Sequence, residues 1–278
     1  MAEQDTLTGA RRVFWTGYSI VYWLFVAISS ILLFPVALLI WLITAPIDSR
    51  KRLLHLFTCF WASLYTWVNP MWPVRIDGRL RDEQATIFVA NHLSLVDIFV
   101  LFRSFAHFKW VSKIEVFRLP FVGWNMRLND YIPIDRGNRR SVAKMLRQCE
   151  LTLRRGSSIM MFPEGTRSVD GKLRAFKPGA FELALRTRCA IQPILIEGSS
   201  EALPKHGLVL RGRHPIRVTV LPVLEPESFA NHDPESLAQA VRSQMAKALG
   251  HDGDAASDAD APRSSRNGAE RTTMGEQP

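Results

Sequence analysis

An α/β layer fold preceded by a membrane-embedded helical hairpin is the architecture that this 278-residue sequence predicts. Three observations carry it. A long uncharged stretch, Val13 to Ile47, lies near the amino terminus. From Val74 onward, short β-rich runs alternate with helical stretches, the signature of strands and helices in layers. Beyond Gly250 the chain turns rich in Asp, Ala, Ser and Arg and lacks the apolar residues that ordering requires. The expected division is therefore 1–75 as the membrane-anchoring helical segment, 76–249 as the α/β domain and 250–278 as a disordered tail.

The uncharged stretch holds 35 residues, with Trp15, Tyr18, Tyr22, Trp23 and Trp41 toward its ends, where interfacial aromatics are expected. As one helix it would run about 52 Å, against a hydrocarbon core of about 30 Å, and Pro35 interrupts its second half. Arg11-Arg12 before it and Arg50-Lys51-Arg52 after it both favour an anionic leaflet, so the expectation is a bent hairpin dipping into one leaflet. The run is too long for a cleaved signal peptide and no small-residue cleavage site follows. A second apolar stretch, Leu53 to Val74, carries only His55 and ends at Asn69-Pro70 and Pro73, which reads as an interfacial helix and a turn.

In the body, strands are expected near Val74–Asp77, Thr86–Ala90, Phe108–Val111, Tyr131–Ile134, Ile159–Phe162, Ile191–Ile196 and Ile216–Leu221. Helices are expected at Leu95–Arg103, Phe121–Leu128, Arg139–Arg155, Gly179–Arg186 and Pro234–Leu249, with Gly250 ending the last. Neither a G-x-x-x-x-G-K loop nor a G-x-G-x-x-G fingerprint is present, so nucleotide-driven and hydride-transfer chemistry lack support. Cys59, Cys149 and Cys189 stand far apart and suggest neither disulfides nor zinc. The net charge of +9 calls for an anionic partner; because the aromatics cluster in the lipid segment, nucleic acid is not that partner.

Two motifs carry chemistry. Asn91-His92-x4-Asp97 follows the second strand, where open α/β sheets place ligands. Neutral histidine can accept a proton near physiological pH, and a carboxylate on its other nitrogen fixes the tautomer. Ser94-Leu-Val-Asp97 also matches a capping box opening a helix; both readings hold if His92 lies in the turn before that helix. A Ser94 nucleophile is disfavoured, since capping would consume its hydroxyl.

Phe162-Pro-Glu-Gly-Thr-Arg-Ser168 turns out of a buried-looking strand, with Asp170-Gly171 as the following turn. Arg167 suits phosphate, Gly165 permits close backbone approach, and Thr166 and Ser168 offer hydroxyls. Glu164 would orient Arg167 or bind a substrate hydroxyl; a plain Glu164–Arg167 surface pair is the alternative. Lys113 opens the segment that leads to Asp135-Arg136, where Arg136 is a second anion-binding candidate or a residue solvated beside Arg139 and Arg140.

In this order and spacing, these stretches and the strand Ile191-Gln-Pro193-Ile-Leu-Ile-Glu-Gly198 resemble the four blocks of the glycerolipid acyltransferase family, over roughly Ile87 to Ser200. The resemblance implies a mixed sheet flanked by helices, glycerol-3-phosphate acyltransferase-like. It implies His92 as general base, Asp97 as its orienting partner, and Glu164, Gly165, Arg167 and Arg136 as binders of the acceptor phosphate, with Thr166 and Lys113 beside them. The activity implied is that of a 1-acylglycerol-3-phosphate O-acyltransferase taking its acyl group from acyl-CoA or acyl-carrier protein, with no metal or further cofactor. The body would face the cytoplasm at the inner or plasma membrane, among membrane lipids and the lysophosphatidate acceptor. Another lysophospholipid, a lyso-aminolipid or glycerol-3-phosphate is the alternative acceptor, and a non-catalytic lipid-binding protein the alternative class. Two departures from the family pattern, Asp130 where glycine is frequent and Gln192 before Pro193, bear on the acceptor.

Overall fold

The computed structural model describes residues 9–168, 171–205 and 207–250. The expected tail after Gly250, and Asp170 of the expected turn, lie outside the described residues. In chain order the elements are α1 (Gly9–Thr44), α2 (Arg52–Trp67), β1 (Val74–Asp77), β2 (Ile87–Ala90), α3 (Val96–Phe102), β3 (Phe108–Lys113), α4 (Val122–Leu128), β4 (Ile132–Ile134), α5 (Arg139–Arg154), β5 (Ser158–Met161), α6 (Gly179–Thr187), β6 (Ile191–Glu197), α7 (Ser199–Ala202), β7 (Ile216–Val220) and α8 (Pro234–Ala248). Short 3-10 turns lie at Val116–Arg118 and Pro226–Phe229.

The seven strands form one sheet in the order β1-β7-β6-β2-β5-β3-β4. Every neighbouring pair is parallel except β6 with β7, so the sheet is mixed, as expected. Strand β2 is buried along its whole length, and its alternation shows how the two layers form. Phe88 and Ala90 join a core shared with α1 to α4, whereas Ile87 and Val89 face the opposite core under α5, α6 and α8. Cys149 belongs to the second core, where burial pushes its thiol up to about 12.

The amino-terminal segment departs from expectation in one respect. The first apolar stretch does not fold back at Pro35; α1 runs through it as a single 36-residue helix. The hairpin is made instead by α1 and α2, joined by the turn at 45–51. The reason lies in the side chains beside the proline. Phe34 packs edge-on against Phe121 and Trp124 of the body, with ring centroids 5.9 and 5.4 Å apart, so α4 supports the helix where its hydrogen bonding is interrupted. Hydrogen bonds fasten the hairpin to the body near both ends. Trp23 Nε1 donates to the Leu208 carbonyl at 2.7 Å, and beside it Tyr18 Oη ties α1 to Asn69 just after α2. At the far end, Lys109 Nζ donates to the carbonyls of Arg50 and Asn129, each at 2.7 Å. Helix α1 is long and apolar enough to cross a membrane, yet it lies along the body. Its outward side exposes Val21, Leu24, Ile28, Leu32, Leu39 and Leu42, an apolar surface that associates with a membrane.

Candidate active site

Five parallel strands, β6, β2, β5, β3 and β4, bring their carboxyl ends to one edge of the sheet. Where β2 stops, the Asn91 amide takes over its pairing, donating to the Ile196 carbonyl at 2.9 Å and accepting from the Ile196 N–H at 2.8 Å. His92 follows in the turn before α3, and Asp97 stands in the first turn of that helix. His92 Nδ1 and Asp97 Oδ2 are 2.8 Å apart. The same oxygen accepts the N–H groups of Leu93 and Ser94 at 2.7 and 2.8 Å, and Asp97 Oδ1 accepts the Ser199 hydroxyl. One carboxylate thus aims the imidazole and accepts the Ser94 N–H, which is half of the capping box that the sequence offered; the other half is missing, because the Asp97 N–H turns to the Ser94 carbonyl and the helix begins at Leu95 without a side-chain cap. Ser94 Oγ donates to the Leu203 carbonyl at 2.7 Å and accepts, more loosely, from the Val96 N–H, so its hydroxyl is structural.

The imidazole lies flat on Phe162, with centroids 3.9 Å apart and planes 8° from parallel. With Nδ1 committed to Asp97, Nε2 is the ring atom left for a substrate, and it has no hydrogen-bond partner among the described residues. Trp110 packs against Phe162 in turn, with centroids 5.4 Å apart. The indole in turn lines an apolar cavity of about 250 Å³ between the α1–α2 hairpin and the body, whose wall also includes Val26, Ala62, Leu95 and Phe99.

The second motif meets the first through the main chain. Ser168 N donates to the His92 carbonyl at 2.8 Å, and His92 N donates to Glu164 Oε1 at 3.0 Å. Glu164 therefore braces the histidine turn, and among the described residues it makes no ion pair with Arg167. Burial pushes its carboxyl up to about 7; the N–H groups of His92 and Arg174 pull the other way, and the Asp97 charge adds to the rise. Gly165 has φ +72°, in the left-handed region that favours glycine, and the Lys177 side chain crosses over the turn 2.8 Å from where a Cβ would stand. Thr166 and Arg167 are half-buried in this turn, and the Arg167 guanidinium has no hydrogen-bond or ion-pair partner among the described residues.

Lys113 and Arg136 reach the same edge but stand apart from the histidine. Lys113 ends β3 and pairs with Glu115 at 3.0 Å. Arg136 follows β4, three strand spacings or roughly 14 Å from β2, where Glu115 also faces it. The two departures from the family pattern are structural. Asp130 takes a left-handed φ of 56° ahead of β4, at the amino end of that strand and so at the opposite edge of the sheet. Gln192 lies early in β6, where its Oε1 accepts the Arg81 N–H at 2.9 Å. Neither Phe162, at the end of its apolar run, nor Ser199 had a site role legible in the sequence. The signal for Ser199 was its position after Gly198, whose φ of +78° turns the chain off β6 and where a Cβ would meet the Pro215 carbonyl oxygen.

Fold and site together define a membrane-associated α/β protein in which a paired histidine and an arginine turn share one edge of a mixed sheet. A family model described as Acyltransferase matches residues 73–197. The chain is 30% identical over 203 residues to a probable 1-acyl-sn-glycerol-3-phosphate acyltransferase of Mycoplasma genitalium, covering 67% of this chain and 74% of that one. It is 35% identical over 204 residues to the 1-acyl-sn-glycerol-3-phosphate acyltransferase of Chlamydomonas reinhardtii, covering 71% and 60%. A similar match to a chloroplastic counterpart of Arabidopsis thaliana, 35% over 158 residues, covers 56% and 44%, so the chain spans about half the length of these curated plant and algal relatives. The crystal structure of the 1-acyl-sn-glycerophosphate acyltransferase of Thermotoga maritima shares the fold, with a TM-score of 0.67 at 21% identity over 85% of this chain and 96% of that one. The chain belongs to the acyltransferase family.

Proposed function

We propose that this chain is a 1-acylglycerol-3-phosphate O-acyltransferase, transferring a fatty acyl group from acyl-CoA or acyl-carrier protein to the free hydroxyl of lysophosphatidate. One observation carries the reading: His92, paired with Asp97 and with no partner on Nε2 among the described residues, stands on a turn next to that of Arg167, whose guanidinium has no partner among them either, and the Ser168 N–H on the His92 carbonyl joins the two turns at 2.8 Å. A base and an anion grip on adjoining turns suit one small molecule that bears both a hydroxyl and a phosphate. The relatives' printed names point to the same acceptor.

In this mechanism His92 Nε2 removes the hydroxyl proton as the oxygen attacks the thioester carbonyl carbon. The C–S bond then breaks, and the leaving thiolate takes the proton back from the imidazolium, giving phosphatidate and a free thiol. Asp97 holds the ring in place throughout. A thioester is already activated, so orientation and base catalysis are the enzyme's main contributions. The apolar cavity, reached from His92 through the rings of Phe162 and Trp110, is suited to an acyl chain. Because α1 is fastened to the body near both ends, its charged flanks Arg11-Arg12 and Arg50-Lys51-Arg52 stay at one membrane surface, which supports a body on the cytoplasmic face.

The test is His92→Ala in detergent or vesicles. Turnover of lysophosphatidate should fall by about 10²–10⁴-fold while circular dichroism stays that of the parent. A variant that keeps its rate would refute the base assignment.

A further inference from the structure

On the side of Leu95 away from the apolar cavity, an open pocket of about 300 Å³ is lined by Leu95, Arg167, Leu203, Lys205, Gly207 and Leu208. Among the described residues, three leucines and two cations make up its chemical surface, and no acid lines it. Lys205 Nζ donates to the Arg167 carbonyl at 2.9 Å, which sets the ammonium beside the Arg167 turn and leaves two of its three N–H donors for a ligand. The loop that carries Lys205 is held at both ends by groups already met. Leu203 accepts the Ser94 hydroxyl next to the His92–Asp97 turn, and Ser199, just before it, is bonded to Asp97 itself. At the other end, Trp23 donates to the Leu208 carbonyl and the Leu210 N–H donates to Ser19 Oγ, both from α1. Lys205 is therefore placed by the catalytic turn on one side and the membrane helix on the other.

We propose that Lys205, together with Arg167, grips the phosphate monoester of the acceptor lipid and selects for that head group. The proposal rests on the acyltransferase reading above. A phosphate monoester carries close to two negative charges at neutral pH, which two convergent cations satisfy better than they would the single charge of a phosphodiester head group. The leucines beside the cations suit the glycerol and first methylenes of a lipid rather than free phosphate. No motif announced this residue. Lys205 follows the matched family segment, which ends at 197, and it reads as an ordinary polar loop.

The experiment compares the full chain with Lys205→Met and Lys205→Arg. Binding of lysophosphatidate is followed by intrinsic tryptophan fluorescence without donor, and steady-state kinetics use lysophosphatidate, monoacylglycerol and inorganic phosphate as acceptor, phosphate-free acceptor and competitor. Lys205→Met should raise both Kd and KM for lysophosphatidate by about 10- to 100-fold, the loss of one charge-assisted hydrogen bond. The KM for the acyl thioester and the rate with monoacylglycerol should stay at parent values, Lys205→Arg should restore most of the affinity, and inorganic phosphate should compete only weakly. An equal loss with monoacylglycerol would reduce Lys205 to a loop tether, and an unchanged Kd would remove it from the site; either result overturns the proposal while the reaction stands. Lysophosphatidate binding that depends on Lys205 in a parent protein that turns over no thioester would support the grip and overturn the acyltransferase reading instead.

Discussion

Glu164 shows most directly how a single side chain can couple the two motifs. Its carboxyl is buried against the His92 turn, and burial raises it to about 7, above the ordinary value of 4.5. The native state thus holds this proton more tightly than the unfolded chain does. Its contribution to stability is fully present below pH 4.5 and is lost as pH rises to about 7. Glu164→Gln keeps an oxygen for the His92 N–H and cannot titrate. Denaturant unfolding from pH 5 to 8 should therefore show the parent losing stability relative to the variant; parallel curves would mean the carboxyl is not perturbed. In the sequence, the His92–Asp97 pair was legible because both partners sit within one turn and its helix. The job of Glu164 was not, because its partner is a main-chain N–H some seventy residues away, and the type of its side chain suggested a guanidinium instead.

Elements were legible wherever their burial pattern was local. All seven strands fall where β-rich runs announced them, since central parallel strands such as Ile87–Ala90 read as short apolar runs. The helical hairpin was misplaced because its turn is fixed by a distant residue. Lys109 lies in β3 with only 3% of its surface exposed, and burial pushes its ammonium down to about 8. Its bonds to the Arg50 and Asn129 carbonyls fasten the α1–α2 turn to the amino edge of the sheet. Lys109→Met removes the fastening together with the cost of burying a charge, so global unfolding should move little while the turn opens locally. Trypsin should then nick at Arg50, Lys51 or Arg52 about tenfold faster, as expected for roughly 1.5 kcal/mol of lost local protection. Unaltered cleavage would show that the turn is held by other contacts, such as the Arg52–Asp82 pair at 3.0 Å.

At the scale of the molecule, the apolar cavity has walls from α1, α2, α3, β3 and α4, residues that no stretch of sequence brings together, so nothing local could reveal it. As the proposed acyl-chain site, it offers a measurable room. Ala62→Phe should fill part of it and shift product composition toward shorter chains. Each buried methylene is worth about 0.8 kcal/mol, so excluding two should disfavour the longest donors by about tenfold. Product mass spectrometry over a series of thioesters reads this, and an unchanged profile would place the chain elsewhere. The hairpin is thus a wall of this cavity as well as a mooring. A fragment trimmed after Thr44 to dispense with detergent would lay Phe99 and Trp110 open to water, and what it gained in convenience of handling it would lose as a vessel for lipid.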